Sequence, residues 1–107
     1  MRRGEIWTTS ASGYAGKPRP AVIVQDDSFD ATDSITVCGL TTTDIGPAVF
    51  RVTIEPAKTS GLGLTSWIMV DKISTVPKQK LGRRIGCVNE GDLVHLNRAI
   101  LTFLGLV

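Results

Sequence analysis

The sequence predicts a mostly β domain, a small barrel of short strands, closed by one C-terminal α-helix. Three observations carry this. β-Branched or alternating apolar runs of four to eight residues recur along the chain, glycine and proline clusters separate them, and the apolar period becomes helical only near the end.

Residues 20–25, Pro-Ala-Val-Ile-Val-Gln, form a β-branched run begun by a proline, and residues 34–41, Ser-Ile-Thr-Val-Cys-Gly-Leu-Thr, alternate polar with apolar over most of their length. Both read as strands. Further strands are expected at 49–54, 66–70 and 72–76, with a short one around 85–88, because Gly46-Pro47, residues 56–63 and residues 77–82 break the chain between them. Near the C-terminus Leu93, Leu96, Ile100, Phe103 and Val107 trace one helical face. Asn89 suits the N-cap, since its side-chain oxygen can accept from an orphan N–H of the first turn, and Asp92 complements the helix dipole; the helix is expected to start at Glu90. Residues 8–18 lack apolar periodicity, are rich in Ser, Gly and Ala, and read as a mobile loop.

Composition narrows the function. A chain of 107 residues, 42% apolar, holds material for one core, so residues 1–107 are expected to form a single domain. A net charge of +2 is too small to hold duplex DNA by itself, and any nucleic-acid site must be local. No apolar run approaches the roughly 20 residues that cross a bilayer, and no export signal is evident. The expectation is a cytoplasmic protein without membrane contact. A single histidine, His95, excludes paired-imidazole chemistry and histidine-rich zinc sites, and Cys38 with Cys87 can form neither a zinc site nor a disulfide framework. No phosphate-cradling loop precedes a Lys-Ser or Lys-Thr pair, and Gly61-Leu62-Gly63 lacks the third glycine of a dinucleotide site. Neither a metal nor a cofactor is expected.

Pro18-Arg19-Pro20 is the most informative tripeptide. Pro18 fixes its own φ, and Pro20 pushes Arg19 toward an extended conformation, so the arginine is presented from a stiffened backbone. A guanidinium mounted this way suits bidentate contact with a phosphate and stabilisation of charge developing on it. The plainer alternative is an arginine paired with a surface carboxylate where a strand begins.

Arg3-Gly4-Glu5-Ile6-Trp7, a loop, and then Gly16-Lys17-Pro18-Arg19-Pro20-Ala21-Val22-Ile23-Val24-Gln25 resemble the opening of the MazF/PemK/Kid toxins. Val37-Cys38-Gly39-Leu40-Thr41 is similar to that family's second long strand, which ends in threonine. Ser60-Gly61-Leu62, Ser66 and Val70-Asp71-Lys72-Ile73-Ser74-Thr75-Val76 are similar to its later blocks, and Leu81, Ile85-Gly86 and the terminal helix complete the order. The resemblance implies a twisted, SH3-like barrel of the CcdB/PemK-like toxin fold, a two-fold homodimer, and a cognate antitoxin of a type II toxin-antitoxin pair. The activity it implies is that of an mRNA interferase: sequence-selective, metal-independent cleavage of single-stranded RNA, leaving a 2′,3′-cyclic phosphate and a 5′-hydroxyl.

Position by position, Arg19 matches the family's catalytic arginine and Thr41 its catalytic threonine. Attack of a ribose 2′-OH on the adjacent phosphorus needs in-line positioning and stabilisation of extra negative charge, which Arg19 would supply with a hydrogen bond from Thr41. The alternative for Thr41 is a strand-end threonine that bonds its own backbone. In the Kid branch an arginine precedes a catalytic aspartate by two residues; here Met69 stands two before Asp71, so Asp71 is either a proton acceptor or base reader, or a turn former. Glu5 could take the 2′-OH proton only if the fold brings it beside Arg19; otherwise it pairs with Arg3 or another base.

Tyr14, Trp67 and Trp7 are candidates for stacking unpaired bases, with the barrel core as the competing location for both tryptophans. Lys17, Lys72, Lys78, Lys80, Arg83 and Arg84 either follow an RNA backbone or form a solvated face, and clustering around Arg19 would decide for RNA. His95 reads as a surface or dimer residue, and Cys38 and Cys87 as small buried hydrophobes. Two rival functions share the barrel. One is a non-enzymatic DNA gyrase poison of the CcdB kind, disfavoured because the chain ends Leu104-Gly105-Leu106-Val107 without tryptophan; the other is a barrel that binds RNA or a partner without catalysis.

Overall fold

The computed structural model describes residues 1–10 and 17–107. Within them lie strands β1 (Glu5–Thr9), β2 (Arg19–Ile23), β3 (Ser34–Thr41), β4 (Arg51–Ile54), β5 (Ser66–Met69), β6 (Ser74–Pro77) and β7 (Leu81–Cys87), followed by helix α1 (Glu90–Phe103). The strands hydrogen-bond in the order β4-β5-β3-β2-β1-β7, all antiparallel. β3 is the axle. One of its edges pairs with β2, while the other pairs with β6 along Ser34 to Val37 and with β5 at Leu40 and Thr41.

The sheet closes into a barrel through the connection between β4 and β5 rather than through a β4–β7 ladder. The connection from β4 to β5 folds back through an isolated bridge between Ala57 and Leu62 and lies against β7, where the Cys87 N–H donates to the Thr59 carbonyl at 2.8 Å. The approach is close enough to demand glycine on both sides. A Cβ on Gly61, whose φ is +70°, would stand 2.0 Å from the Ile85 carbonyl oxygen, and one on Gly86 would stand 2.2 Å from that of Ser60.

Strands β2 and β3 are buried on both faces. Val22, Cys38 and Leu40 join Ile6, Ile54, Ile68, Val70, Leu96 and Ala99 in the cluster beneath α1, whereas Ala21, Ile23, Ile35 and Val37 pack on the other face with Val76, Leu81, Met1 and Trp7. The alternation expected of a strand is therefore between two cores rather than between core and solvent. Burial pushes the Cys38 thiol up to about 12, so it is an inert apolar filler. Cys87 is only half-buried, and both cysteines are free thiols.

The expected strand at 34–41 and the helix start at Glu90 match the structure, with the Asn89 side chain accepting from the Asp92 N–H at 2.7 Å. Other boundaries move. The expected strand at 20–25 runs from Arg19 to Ile23, 49–54 shortens to Arg51–Ile54, 66–70 ends at Met69, and 72–76 becomes Ser74–Pro77 after a 3-10 turn at Val70–Lys72. Thr8 and Thr9, read as loop, end strand β1. Residues 11–16 of that expected loop, Tyr14 among them, lie outside the described residues.

The short strand expected at 85–88 begins instead at Leu81. Gly82, in a segment read as a turn, lies inside β7 at an irregular stretch of the β1–β7 register, where a Cβ would sit 2.5 Å from the Thr8 hydroxyl. The helix stops at Phe103 rather than running to Val107. Gly105 takes φ +71°, its N–H donates to Thr102 and the Leu106 N–H to Leu101, the two bonds of a Schellman ending.

Gly61→Ala and Gly86→Ala are each expected to destabilise the protein by about 3 kcal/mol or more, because strain or backbone overlap adds to the lost contact. Gly46→Ala, at φ +87° with open space around it, should cost about 1 kcal/mol. Urea unfolding of the three variants checks the order.

Candidate active site

Antiparallel register places the candidate side chains Arg19, Thr41 and Trp67 in one row. Ala21 pairs with Gly39 and Val22 with Cys38, so the same register continued beyond this ladder sets Arg19 opposite Thr41. Thr9 pairs with Arg19, Thr41 with Trp67, and Trp67 with Thr53. Directly opposed residues share a face with Cβ atoms about 5 Å apart. Thr9, Arg19, Thr41, Trp67 and Thr53 thus cross five strands on the face that carries Ala21, Ile23 and Val37 farther along. That face is apolar at one end and turns polar where β2 begins and β3 ends.

Arg19 is exposed, and among the described residues no carboxylate or carbonyl partners its guanidinium. The surface ion pair weighed for it is not formed. Thr41 does make the local bond weighed for it: its hydroxyl oxygen accepts from the Thr43 N–H at 3.1 Å. That bond uses a lone pair and leaves the hydroxyl hydrogen to be donated elsewhere.

The carboxylates fall elsewhere. Glu5 begins β1, four residues and about 13 Å along the strand from Thr9, which is the residue opposite Arg19. It is not beside Arg19, so the condition for its acting on the same phosphate is not met. Its oxygens accept from the Trp7 indole N–H at 3.0 Å, the Arg84 Nε–H at 3.0 Å and the Arg2 backbone N–H at 2.9 Å. Burial pushes the Glu5 carboxyl up, but these bonds outweigh it and hold the group below its ordinary value. Its base is Arg84, not Arg3, whose Nε–H donates to the Val24 carbonyl at 2.9 Å.

Asp71, in the 3-10 turn after β5, is gripped by an arginine that the sequence did not single out. Arg51 donates from Nε to Oδ1 at 2.8 Å and from Nη2 to Oδ2 at 3.1 Å. The Arg51 side chain is only 10% exposed, and its guanidinium lies 6.0 Å from the Phe50 ring, which packs in turn on Phe103 of α1. Arg51 is the cross-strand partner of Met69. The position where the Kid pattern carries its arginine is filled by methionine, and the guanidinium arrives from the neighbouring strand.

An open cavity of about 380 Å³ lies beside this row, lined by Asp44, residues 46–48, Arg51, Thr53 and Trp67. Trp67 is half-buried and belongs to this cavity, whereas Trp7 packs in the second core cluster. The basic set divides. Lys78 pairs with Asp30 at 3.5 Å near the start of β3, and Arg84 pairs with Glu5, both away from Arg19. Lys17 is exposed two residues before Arg19, and Lys80 precedes Leu81, the partner of Thr9. Lys72 is exposed beside Asp71, and His95 is exposed on α1. Among the described residues no group of three or more His, Cys, Asp or Glu side chains could hold a metal ion, and no helix is long and apolar enough to cross a membrane.

The Arg51 bonds hold the Asp71 carboxyl below the usual carboxylate range despite burial. A carboxyl lowered in the native state adds stability above its unfolded value, and that stability is lost as pH falls through the lowered native value. Asp71→Asn should therefore be less stable than the parent by about 2 kcal/mol at pH 7, with the gap shrinking below about pH 4. Thermal unfolding of the two proteins from pH 7 to pH 3 measures it.

Residues 2–104 match the family described as PemK-like, MazF-like toxin of type II toxin-antitoxin system. The chain is 50% identical over 107 residues to a probable endoribonuclease MazF of Mycolicibacterium smegmatis, covering 99% of this chain and 98% of that one. It is 32% identical over 116 residues to the endoribonuclease MazF9 of Mycobacterium tuberculosis, with 99% and 98% covered. Among solved structures, an endoribonuclease in complex with its cognate antitoxin, from a mycobacterial species, superposes with a TM-score of 0.85 at 28% identity, covering 100% of this chain and 97% of that one. A row of arginine and threonine on the open face of a helix-capped barrel, in a sequence matched along almost its whole length, makes this chain a member of the PemK-like, MazF-like toxin family.

Proposed function

We propose that this toxin is an endoribonuclease that cleaves single-stranded RNA at the face where Arg19 and Thr41 stand together. The observation that carries the reading is an exposed guanidinium with no partner among the described residues, mounted between two prolines and one strand away from a hydroxyl in register with it. The ribose 2′-oxygen attacks the adjacent phosphorus, the new O–P bond forms as the bond to the 5′-oxygen breaks, and the products are a 2′,3′-cyclic phosphate and a 5′-hydroxyl. The 2′-OH gives up one proton and the leaving oxygen gains one. Arg19 stabilises the charge that accumulates on the non-bridging oxygens, and Thr41 donates a hydrogen bond to the same group. Unstacked RNA is the substrate that fits, because only a single strand can lay its phosphate on Arg19 while turning bases onto the neighbouring strands. No step calls for a metal.

Residues 1–107 act as one catalytic domain in this reading. The partner is a cognate antitoxin, as in the mycobacterial complex similar to this chain. A second copy is the other partner, and the exposed Val94 and Leu101 on α1, with Phe103, Leu104 and Leu106 at its end, supply apolar surface suited to it. The site of action is the cytoplasm, where messenger RNA is met.

Purified protein incubated with mixed-sequence single-stranded RNA in excess chelator should yield fragments with cyclic-phosphate ends. Arg19→Ala is expected to lower the rate by about a hundredfold or more with the fold unchanged, and Thr41→Ser should be milder than Thr41→Ala because the hydroxyl survives. Full activity in Arg19→Ala would refute this centre. Intact RNA together with inhibited DNA gyrase would favour the CcdB-like alternative.

A further inference from the structure

We infer that the cavity over Trp67 is a subsite for one unstacked nucleobase next to the scissile phosphate. The inference rests on the cleavage centre proposed above and adds a ligand-binding site to it. Trp67 is the direct cross-strand partner of Thr41, so its indole starts about 5 Å from the residue placed at the phosphate. Thr53 faces it from β4, and Arg51 lies two residues farther along the same face of that strand. The open hollow, about 380 Å³, is ample for one base.

Charge decides between a base and a second phosphate. Both Asp71 oxygens neutralise Arg51, and Asp44 adds a further carboxylate to the cavity wall. The cavity therefore has no surplus positive charge to hold a phosphate, unlike the open surface around Arg19. It does offer what a base edge needs. The Asp44 Oδ1 accepts from the Gly46 N–H at 2.8 Å, leaving Oδ2 for an N–H of the base. Arg51 spends Nε and Nη2 on Asp71 and keeps Nη1 as a donor, while the Thr53 hydroxyl can do either. An aromatic platform with a donor and an acceptor on its walls is how unpaired bases are held. Arg51 is then a positioning residue for the wall, locked by Asp71 and Phe50.

The test uses an oligoribonucleotide with a mapped cleavage site, in which the nucleotide on each side of the cut bond is replaced in turn by an abasic one. With the wild-type protein, one of the two replacements should lower kcat/KM by about ten- to a hundredfold, the loss expected of one stacked base. Trp67→Leu, which keeps apolar volume, and Trp67→Ala should lose a similar factor on the parent oligonucleotide and little more on that abasic one, whereas Trp67→Phe should stay within about threefold of wild type. Wild-type rates in Trp67→Leu, or losses that multiply independently, would overturn the subsite. Arg19→Ala run alongside separates the two claims: if it remains active the cleavage centre itself fails, and if it is inactive while Trp67 and the base do not couple, only the subsite fails.

Discussion

The proposed site depends on the register between β2 and β3. Side chains alternate faces along a strand, so a slip of one residue in either strand would move Arg19 or Thr41 to the opposite face. What prevents the slip is not the site but the two cores. Val22 and Cys38 fill the cluster under α1 while Ala21, Ile23 and Val37 fill the other, and displacing either strand by one residue would drive apolar side chains of both clusters into the wrong surroundings. The small pair Ala21 and Gly39 is the last step before the face opens, and Arg19 and Thr41 are the next. Packing at one end of two strands thus aims the chemistry at the other end.

The parts of the fold that the sequence displayed were those whose signal is local. The strand at Ser34–Thr41 shows its alternation, and the helix announces its start through Asn89 and its face through Leu93 and Leu96. The parts that were hidden depend on partners distant in sequence. Thr8 and Thr9 resemble loop residues until β2 and β7 pair with them on both sides. Gly82 resembles a turn residue until the Thr8 hydroxyl is seen against it, accepting from the Arg83 N–H at 3.1 Å. The helix end was misjudged because Val107 continues the apolar period, and the period says nothing about Gly105 adopting a left-handed turn.

The same division applies to the site. Arg19 could be singled out because the flanking prolines constrain it locally, and Thr41 because it ends a strand that is itself legible. Arg51 could not. It stands 20 residues before Asp71 in the chain, and only the β4–β5 ladder, which sets Arg51 opposite Met69, brings the two together. A motif read along one strand looks for its arginine at position 69, whereas the sheet can supply the same charge from across the ladder at about 5 Å. Spacing patterns are blind to such an exchange because the two positions are neighbours only after folding.

Two arginines therefore occupy one face in opposite electrostatic states. Arg51 is tucked against Phe50 with both Asp71 oxygens on it, so little of its field reaches solvent. Arg19 is exposed and has no carboxylate on it among the described residues, so its charge is available to a polyanion, and leaving it in water avoids the desolvation cost that a buried unpaired cation would carry. Exposure alone would give a mobile arginine with much rotamer entropy to lose on binding, but Pro18 and Pro20 restrict the backbone from which it starts. The barrel in this way separates attraction from shape: a single stiffly based cation stands ready for the phosphate of the proposed substrate, and an aromatic hollow without surplus positive charge lies one strand beyond the threonine.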